Sequence, residues 1–223
     1  MSPNCVATLA VDLAALRANY QLLKQKHSKQ IIAAVVKANA YGLGMEQVSK
    51  TLWNDGCRDF FVATVCEAID LRATLPDARI GVFNGYLHGL EKEFAEHSLI
   101  PVLNDLEQAT RFLAGALPKA ILHIDTGMTR LGLSHSEAKT LAAKGFSADR
   151  LHYVMSHLAC ANDANDPKNN EQLTRFREAL ALFPGARATF SNSSGIFLSP
   201  DYHFDLGRPG CALYGINPVN ANN

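Results

Sequence analysis

Residues 31–42 read IIAAVVKANAYG: six apolar residues, a lysine, then a turn at Tyr41-Gly42. A run as apolar as Ile31–Val36 suits a strand buried on both faces, as in a parallel sheet covered by helices. An ammonium ending such a strand costs free energy unless it is paired, solvated or modified. Covalent chemistry is one reason to tolerate that cost, because a desolvated lysine is more readily neutral and a neutral amine condenses with carbonyl compounds. A lysine that snorkels to the surface would satisfy the same position. The surroundings of Lys37 therefore decide its meaning.

Working outward, β-rich apolar segments recur at Ile31–Lys37, Phe60–Val65, Ile80–Asn84, Ile100–Leu103, Ile121–Asp125, Tyr153–His157, Ala188–Asn192 and Phe204–Gly207. Between them, amphipathic spacing predicts helices at Gln47–Asp55, Glu67–Thr74, Leu90–His97, Leu106–Ala114, Ser136–Lys144 and Asn170–Leu182. Asn104 or Asp105 is placed to cap one of these helices, and Ser134 or Ser136 another. Eight strands alternating with helices over about 200 residues is the arithmetic of a (β/α)8 TIM barrel. A doubly wound sheet alternates as well, but the barrel is the preferred α/β reading. The barrel is expected over residues 8–216. Thr8–Asp12 reads as a short strand or as the start of a helix at Leu13–Lys24, and residues 217–223 as a disordered tail.

Composition excludes several function classes. The chain has 223 residues, 48 % of them hydrophobic, enough for a sizeable core. Twenty-one basic residues balance twenty-one acidic ones, so no net field recruits nucleic acid or an anionic membrane. No run approaches transmembrane length, and the first apolar stretch is cut by Asp12 and Arg17 and lacks a basic flank, which argues against a signal peptide. Cys5, Cys57, Cys66, Cys160 and Cys211 are odd in number and show no CxxC spacing, which fits a reducing cytoplasmic setting better than a disulfide scaffold or a zinc site.

The barrel reading carries its own test, since active sites of such barrels lie at the C-terminal ends of the strands. Lys37 follows strand one, Asp125-Thr126-Gly127 and Arg130 follow strand five, and His157 ends strand six. Asn192-Ser193 end strand seven, and Arg208 with Gly210 follow strand eight. A strand-end histidine or arginine is commonly structural, so the weight lies in their gathering on one rim. The loops SNSSG (Ser191–Gly195) and GRPG (Gly207–Gly210) supply hydroxyls and backbone amides where barrels often bind phosphate. A carbonyl-reactive lysine facing a phosphate cradle points to pyridoxal 5′-phosphate, which carries both an aldehyde and a phosphate.

Four segments make a resemblance specific: VVKANAYG (Val35–Gly42), HIDTGMTRLG (His123–Gly132), SHLACAND (Ser156–Asp163) and RPGCALYG (Arg208–Gly215). In order and spacing they resemble the signature segments of the alanine racemase family, from Thr8 to Pro218. The resemblance implies that Lys37 holds the cofactor covalently and acts as base on one face of the substrate Cα. It implies that Tyr41, Ser193 and the Gly210-Cys211 backbone contact the phosphate, with Asn192 beside them. Arg208 would donate to the pyridine nitrogen, His157 would hydrogen-bond and orient Arg208, and Arg130 would approach the cofactor's phenolic oxygen and the substrate. An arginine at the ring nitrogen leaves it unprotonated, which weakens electron withdrawal into the ring and favours racemisation over transamination.

The chain departs from the family in three ways. Leu43 stands where the family commonly has histidine. His123 stands where many members have a carbamylated lysine bracing the site arginine; a neutral histidine could hydrogen-bond Arg130 but supplies no negative charge. Members also continue after the LYG segment into a β-rich domain whose tyrosine, contributed by the other subunit of a homodimer, is the second base. Racemisation requires proton donors on both faces of Cα, so weak or absent turnover is expected if Asn223 ends the protein. A non-catalytic one-domain barrel that binds pyridoxal phosphate for homeostasis is the competing reading, favoured by length. An amino-acid decarboxylase of the same fold leaves RPGCALYG unexplained.

Overall fold

The computed structural model describes residues 7–220. Cys5 and the last three positions of the expected tail lie outside them. Seven parallel strands form one sheet in sequence order: β1 (Ala34–Val35), β2 (Asp59–Val62), β3 (Arg79–Val82), β4 (Ile100–Leu103), β5 (Ala120–His123), β6 (Leu151–Met155) and β7 (Ala188–Thr189). Helices α1 (Leu13–Lys26), α3 (Met45–Asn54), α4 (Val65–Thr74), α5 (Glu91–Glu96), α6 (Leu106–Ala114), α7 (His135–Ala143) and α8 (Pro167–Leu180) alternate with them, and α2 (Lys37–Tyr41) is one short turn after β1. Among the described residues no helix is long and apolar enough to cross a membrane.

The expected eighth strand closes the ring as an irregular segment. Ile32 and Gly207 form a parallel bridge, with Ala33 donating to the Gly207 carbonyl at 2.8 Å and Val35 to that of Pro209 at 3.1 Å. On the other side, the Asp205 amide reaches the Ala188 carbonyl at 2.9 Å, and the Asp205 carboxylate accepts the Ala188 N–H at 2.8 Å. A regular strand is prevented by Phe204, whose φ of +53° lies in the left-handed region. The expected first strand is likewise shortened. Ile31 is exposed, and Val36, at φ −115° and ψ 19°, has already left the extended region.

Residue alternation fills both faces of the ring. Ala33, Val35, Phe61, Val102, Ile121, Tyr153, Met155 and Leu206 pack together as one cluster in the barrel interior. Their neighbours Ala34, Phe60, Val62, Ile80, Val82, Leu122 and Val154 face outward into the layer under the helices. Gly81, paired with Phe61, is required by that interior: a Cβ there would lie 2.6 Å from the Phe61 ring.

The helix starts settle the open cap assignments. Asp105 accepts the Gln108 amide at 2.8 Å and caps α6. Ser134 forms a capping box with Glu137 on α7, and Thr64 forms one with Glu67 on α4. The segment before α1 is neither strand nor helix. Asp12 ends it by accepting the Ala14 and Ala15 amides. The expected tail is partly held: Ser194 donates to the Pro218 carbonyl at 2.7 Å, and the Asn220 amide to the Asn162 carbonyl at 2.8 Å. These bonds satisfy backbone groups that a frayed tail would leave to water.

Below the ring, His27 and His203 stack with centroids 4.7 Å apart. His203 Nδ1 accepts the Ser28 amide at 2.8 Å, so its Nε2–H donates to the Ile196 carbonyl at 3.1 Å. His27 donates from Nε2 to the His203 carbonyl at 3.1 Å. Burial lowers the pKa of both rings, that of His27 from 6.5 to about 4.

Two outcomes follow. The unfolded chain protonates His27 near 6.5 and the folded chain only near 4, so the unfolded state binds more protons between those values. Stability should therefore fall as pH drops through this window, His27 contributing on the order of 1–3 kcal/mol. Denaturant titrations of His27→Phe, which keeps an aromatic ring, should show a shallower pH dependence than wild type. Gly81→Ala should cost about 1–3 kcal/mol by overpacking the barrel interior, measurable as a lowered denaturation midpoint.

Candidate active site

The C-terminal ends of the strands surround a cavity of about 380 Å³. Val35, Met155 and Phe83 form apolar parts of its wall, while Lys37, His123, Arg130, His157 and Arg208 bring nitrogen groups to it. Tyr41, Asn192, Ser193, Gly210 and Cys211 also line it. The nine residues that the resemblance assigns to the site all line this cavity. The other rim candidates, Asp125, Thr126 and Gly127, are not in its lining: Asp125 accepts the Gly127 and Thr129 amides, and the Thr126 hydroxyl bonds that of Ser156.

Local backbone explains how Lys37 and Tyr41 come to share it. Ala38, Asn39, Ala40 and Tyr41 all take left-handed φ values between +52° and +56°, and Gly42 follows at +88°. Each non-glycine residue there costs about 1–2 kcal/mol. The turn is held by several hydrogen bonds. Gly42 donates to the Ala38 carbonyl at 2.9 Å, Gly44 to that of Asn39 at 3.0 Å, and Met45 to the Asn39 side chain at 2.8 Å. The Ala38 amide donates to Glu67 Oε1 at 2.6 Å. Lys37 itself is half-buried rather than enclosed.

Tyr41 then packs against Tyr214, centroids 4.7 Å apart, and Tyr214 donates to the Val35 carbonyl at 2.8 Å. Glycine is needed at position 210 because a Cβ there would sit 2.2 Å from the Tyr41 hydroxyl oxygen. Ser193 Oγ accepts the Gly210 amide at 2.9 Å and the Ala212 amide at 3.3 Å. Its own hydroxyl proton and the Cys211 amide have no acceptor among the described residues. Of the expected Gly210-Cys211 backbone cradle, the Gly210 amide is thus engaged by Ser193.

Arg208 is buried, and no carboxylate pairs with it among the described residues. It donates to the Thr189 hydroxyl and to the Ser156 carbonyl, the latter at 2.6 Å. Thr189 passes the bond on to the Leu206 carbonyl at 2.6 Å. Burial pulls the Arg208 pKa down to about 9, so the guanidinium remains charged at neutral pH. The expected bond from His157 to Arg208 is replaced by these two. His157 Nε2 instead faces the Asn192 amide at 3.4 Å. Gly195 donates to Asn192 Oδ1 at 2.9 Å, leaving the Asn192 nitrogen as donor and His157 Nε2 as acceptor. Asn192 also donates to the Leu158 carbonyl at 3.2 Å, so its side chain braces the strand-seven loop.

His123 donates from Nδ1 to Asn104 Oδ1 at 2.8 Å; the Asn104 nitrogen is turned the other way, donating to the Phe83 carbonyl at 2.8 Å. Its Nε2 keeps a lone pair. The expected bond to Arg130 is not formed among the described residues, and Arg130 is exposed. Burial, then the charges of Arg208 and Arg130, hold both His123 and His157 down at about 3, so both rings are neutral. Leu43 is partly buried against the core.

Several contributors were not singled out from the sequence: Thr189 and Ser156 under Arg208, Asn104 behind His123, and Glu67 under Ala38. Gln172 of α8 is another, donating to the His157 carbonyl at 2.9 Å and to Thr126 Oγ1 at 3.0 Å. The polar residues at 156 and 189 carried a signal, since each stands in a buried stretch at the end of an apolar strand. The contacts of Asn104 and Glu67 depend on non-local pairing and carried none.

Comparison with known proteins agrees with this geometry. A family model described as alanine racemase, N-terminal domain, matches residues 11–218. The alanine racemase of Rhizobium meliloti is 48 % identical over 219 residues, covering 95 % of this chain and 58 % of that protein. The biosynthetic alanine racemase of Agrobacterium fabrum is 46 % identical, with 95 % and 56 % covered. The crystal structure of alanine racemase from Bartonella henselae, with covalently bound pyridoxal phosphate, superposes with a TM-score of 0.87 at 40 % identity, covering 93 % of this chain and 63 % of that one. The chain spans a little under two thirds of the length of these relatives. It belongs to the alanine racemase family, whose N-terminal barrel domain it carries.

Proposed function

We propose that this chain binds pyridoxal 5′-phosphate through Lys37 and serves racemisation of a small amino acid, alanine by similarity to its relatives. The observation that carries the reading is the charge of the cavity. Lys37, Arg130 and Arg208 line it, and none forms an ion pair among the described residues. Unneutralised cations around one cavity call for an anionic ligand. The Ser193 hydroxyl and the Cys211 amide are donors suited to a phosphate beside Gly210. The buried guanidinium of Arg208 suits a ring nitrogen that stays an acceptor, because a guanidinium only donates.

When bound, the cofactor supplies an electron sink for a carbanion at the substrate Cα. The protein's own part is to hold groups and move one proton. The Lys37 amine takes the Cα proton on its face and returns it there. Arg130, exposed at the cavity mouth, is suited to a substrate carboxylate. His157 and His123, held neutral, offer lone pairs and add no further charge. Among the described residues Tyr41 is the one tyrosine lining the cavity, and its hydroxyl lies over Gly210. A second proton donor for the opposite face is therefore sought outside the cavity's described lining, as in a homodimer that supplies a residue across the interface. The four unpaired cysteines among the described residues suit a reducing, cytoplasmic setting.

The reading is tested by mixing the chain with pyridoxal phosphate, reducing with borohydride and mapping the adduct. Lys37 should carry it, and Lys37→Ala should lower labelling to the level of surface lysines. Absence of any adduct on Lys37 in wild type would refute the proposal. With L-alanine in heavy water, these 223 residues should exchange the α-proton without forming D-alanine, and Lys37→Ala should slow exchange by about 10²-fold or more. Formation of D-alanine at the exchange rate would show that both proton donors lie within them.

A further inference from the structure

Resting on that cofactor reading, we propose that Glu67 is a positioning residue for Lys37, acting through the amide of Ala38. Both carboxylate oxygens of Glu67 are spent on backbone amides. Oε2 accepts Ala63 at 2.8 Å and Thr64 at 3.2 Å, where β2 passes into α4. Oε1 accepts Ala38 at 2.6 Å, across to the neighbouring strand end. A capping box needs only the first set of bonds, from the third helical residue back to the cap amide. The second oxygen does something a helix cap does not: it ties the residue after Lys37 to the start of α4. No cation pairs with Glu67 among the described residues, so its charge is directed to these amides.

The position of that bond is what gives it consequence. Ala38 is the first of four consecutive left-handed residues, none of them glycine. L-residues left to local preference return to right-handed or extended backbone. Fixing the Ala38 N–H fixes the Lys37–Ala38 peptide plane, and with it the direction in which the Lys37 side chain leaves the backbone. It also sets the start of the turn that delivers Tyr41 to Gly210. Charge-assisted bonds to backbone N–H groups are among the stronger ones available for this task.

The experiment compares wild type, Glu67→Gln and Thr64→Ala as full chains. Glutamine keeps the shape but must turn a nitrogen donor toward Ala38 or toward the cap amides. Glu67→Gln should raise the apparent Kd for pyridoxal phosphate about tenfold or more, lower the borohydride-trapped yield on Lys37, and speed amide exchange across 38–42 without added cofactor. Thr64→Ala removes the other half of the capping box and leaves Glu67 on Ala38. It should lower thermal stability while leaving Lys37 labelling and exchange at 38–42 unchanged. If Glu67→Gln fails to fold, Glu67→Asp, which can still cap α4 but is one methylene short of Ala38, is measured in its place and should show the same losses. Wild-type exchange and labelling in the Glu67 variant would overturn the proposal. So would an equal loss in Thr64→Ala, which would assign the effect to helix capping alone. Should wild-type Lys37 not label, the cofactor reading fails by itself, and exchange at 38–42 still judges the clamp.

Discussion

Closure of the strand ring through residues 204–209 is the constraint on which the site depends. Ala33 and Val35 donate to the carbonyls of Gly207 and Pro209, and the Arg208 amide donates to the Ser191 carbonyl at 2.9 Å. The first two of these bonds join segments about 170 residues apart, an entropic cost that grows only slowly with loop length. Together these bonds put Arg208 between the ends of the first and seventh strands. Pro209 has no N–H to extend the ladder, and just beyond it the chain turns over the cavity as Cys211–Tyr214. The same few residues thus finish the barrel, seat the buried cation and bring Gly210 under Tyr41.

Cations gathered this way shape the chemistry of their neighbours. A buried guanidinium without a carboxylate partner raises the potential around it. That potential adds to desolvation in keeping His123 and His157 neutral. The hydrogen bonds then choose which nitrogen of each ring stays bare. In His123 the choice is imposed by Asn104, itself oriented by the Phe83 carbonyl. The rim therefore presents positive charge from Lys37, Arg130 and Arg208 and lone pairs from two imidazoles, and among the described residues no carboxylate lines the cavity to cancel the field.

Much of this was legible in the sequence because it rests on pattern. The alternation of strands and helices, the helix caps at Asp105 and Ser134, and the rim location of Lys37, Arg130, His157, Ser193 and Arg208 follow from periodicity and strand ends. What could not be read rests on backbone conformation and long-range pairing. In KANAY only Asn39 is of a type enriched in the left-handed region, so its composition does not announce four consecutive left-handed residues. Phe204 hides the break in the last strand in the same way. Arg208 took Thr189 and Ser156 as acceptors in place of His157 because Thr189 ends the neighbouring β7 and Ser156 follows β6 one strand further round, a register that only the closed ring defines.

The left-handed turn after Lys37 joins these threads. Strained backbone persists only where its surroundings over-determine it, and here the surroundings are specific. Glu67 holds the first amide, the Asn39 side chain accepts from Met45, and the ring of Tyr41 rests on Tyr214 and Gly210. A right-handed turn of the same residues would be cheaper locally but would carry Tyr41 away from Gly210 and loosen the direction of Lys37. The strain therefore sits between two fixed points, the end of β1 and the 207–211 segment that closes the ring. A lysine on this turn is aimed by the backbone before any ligand arrives, which is the preorganisation that covalent chemistry at one atom requires.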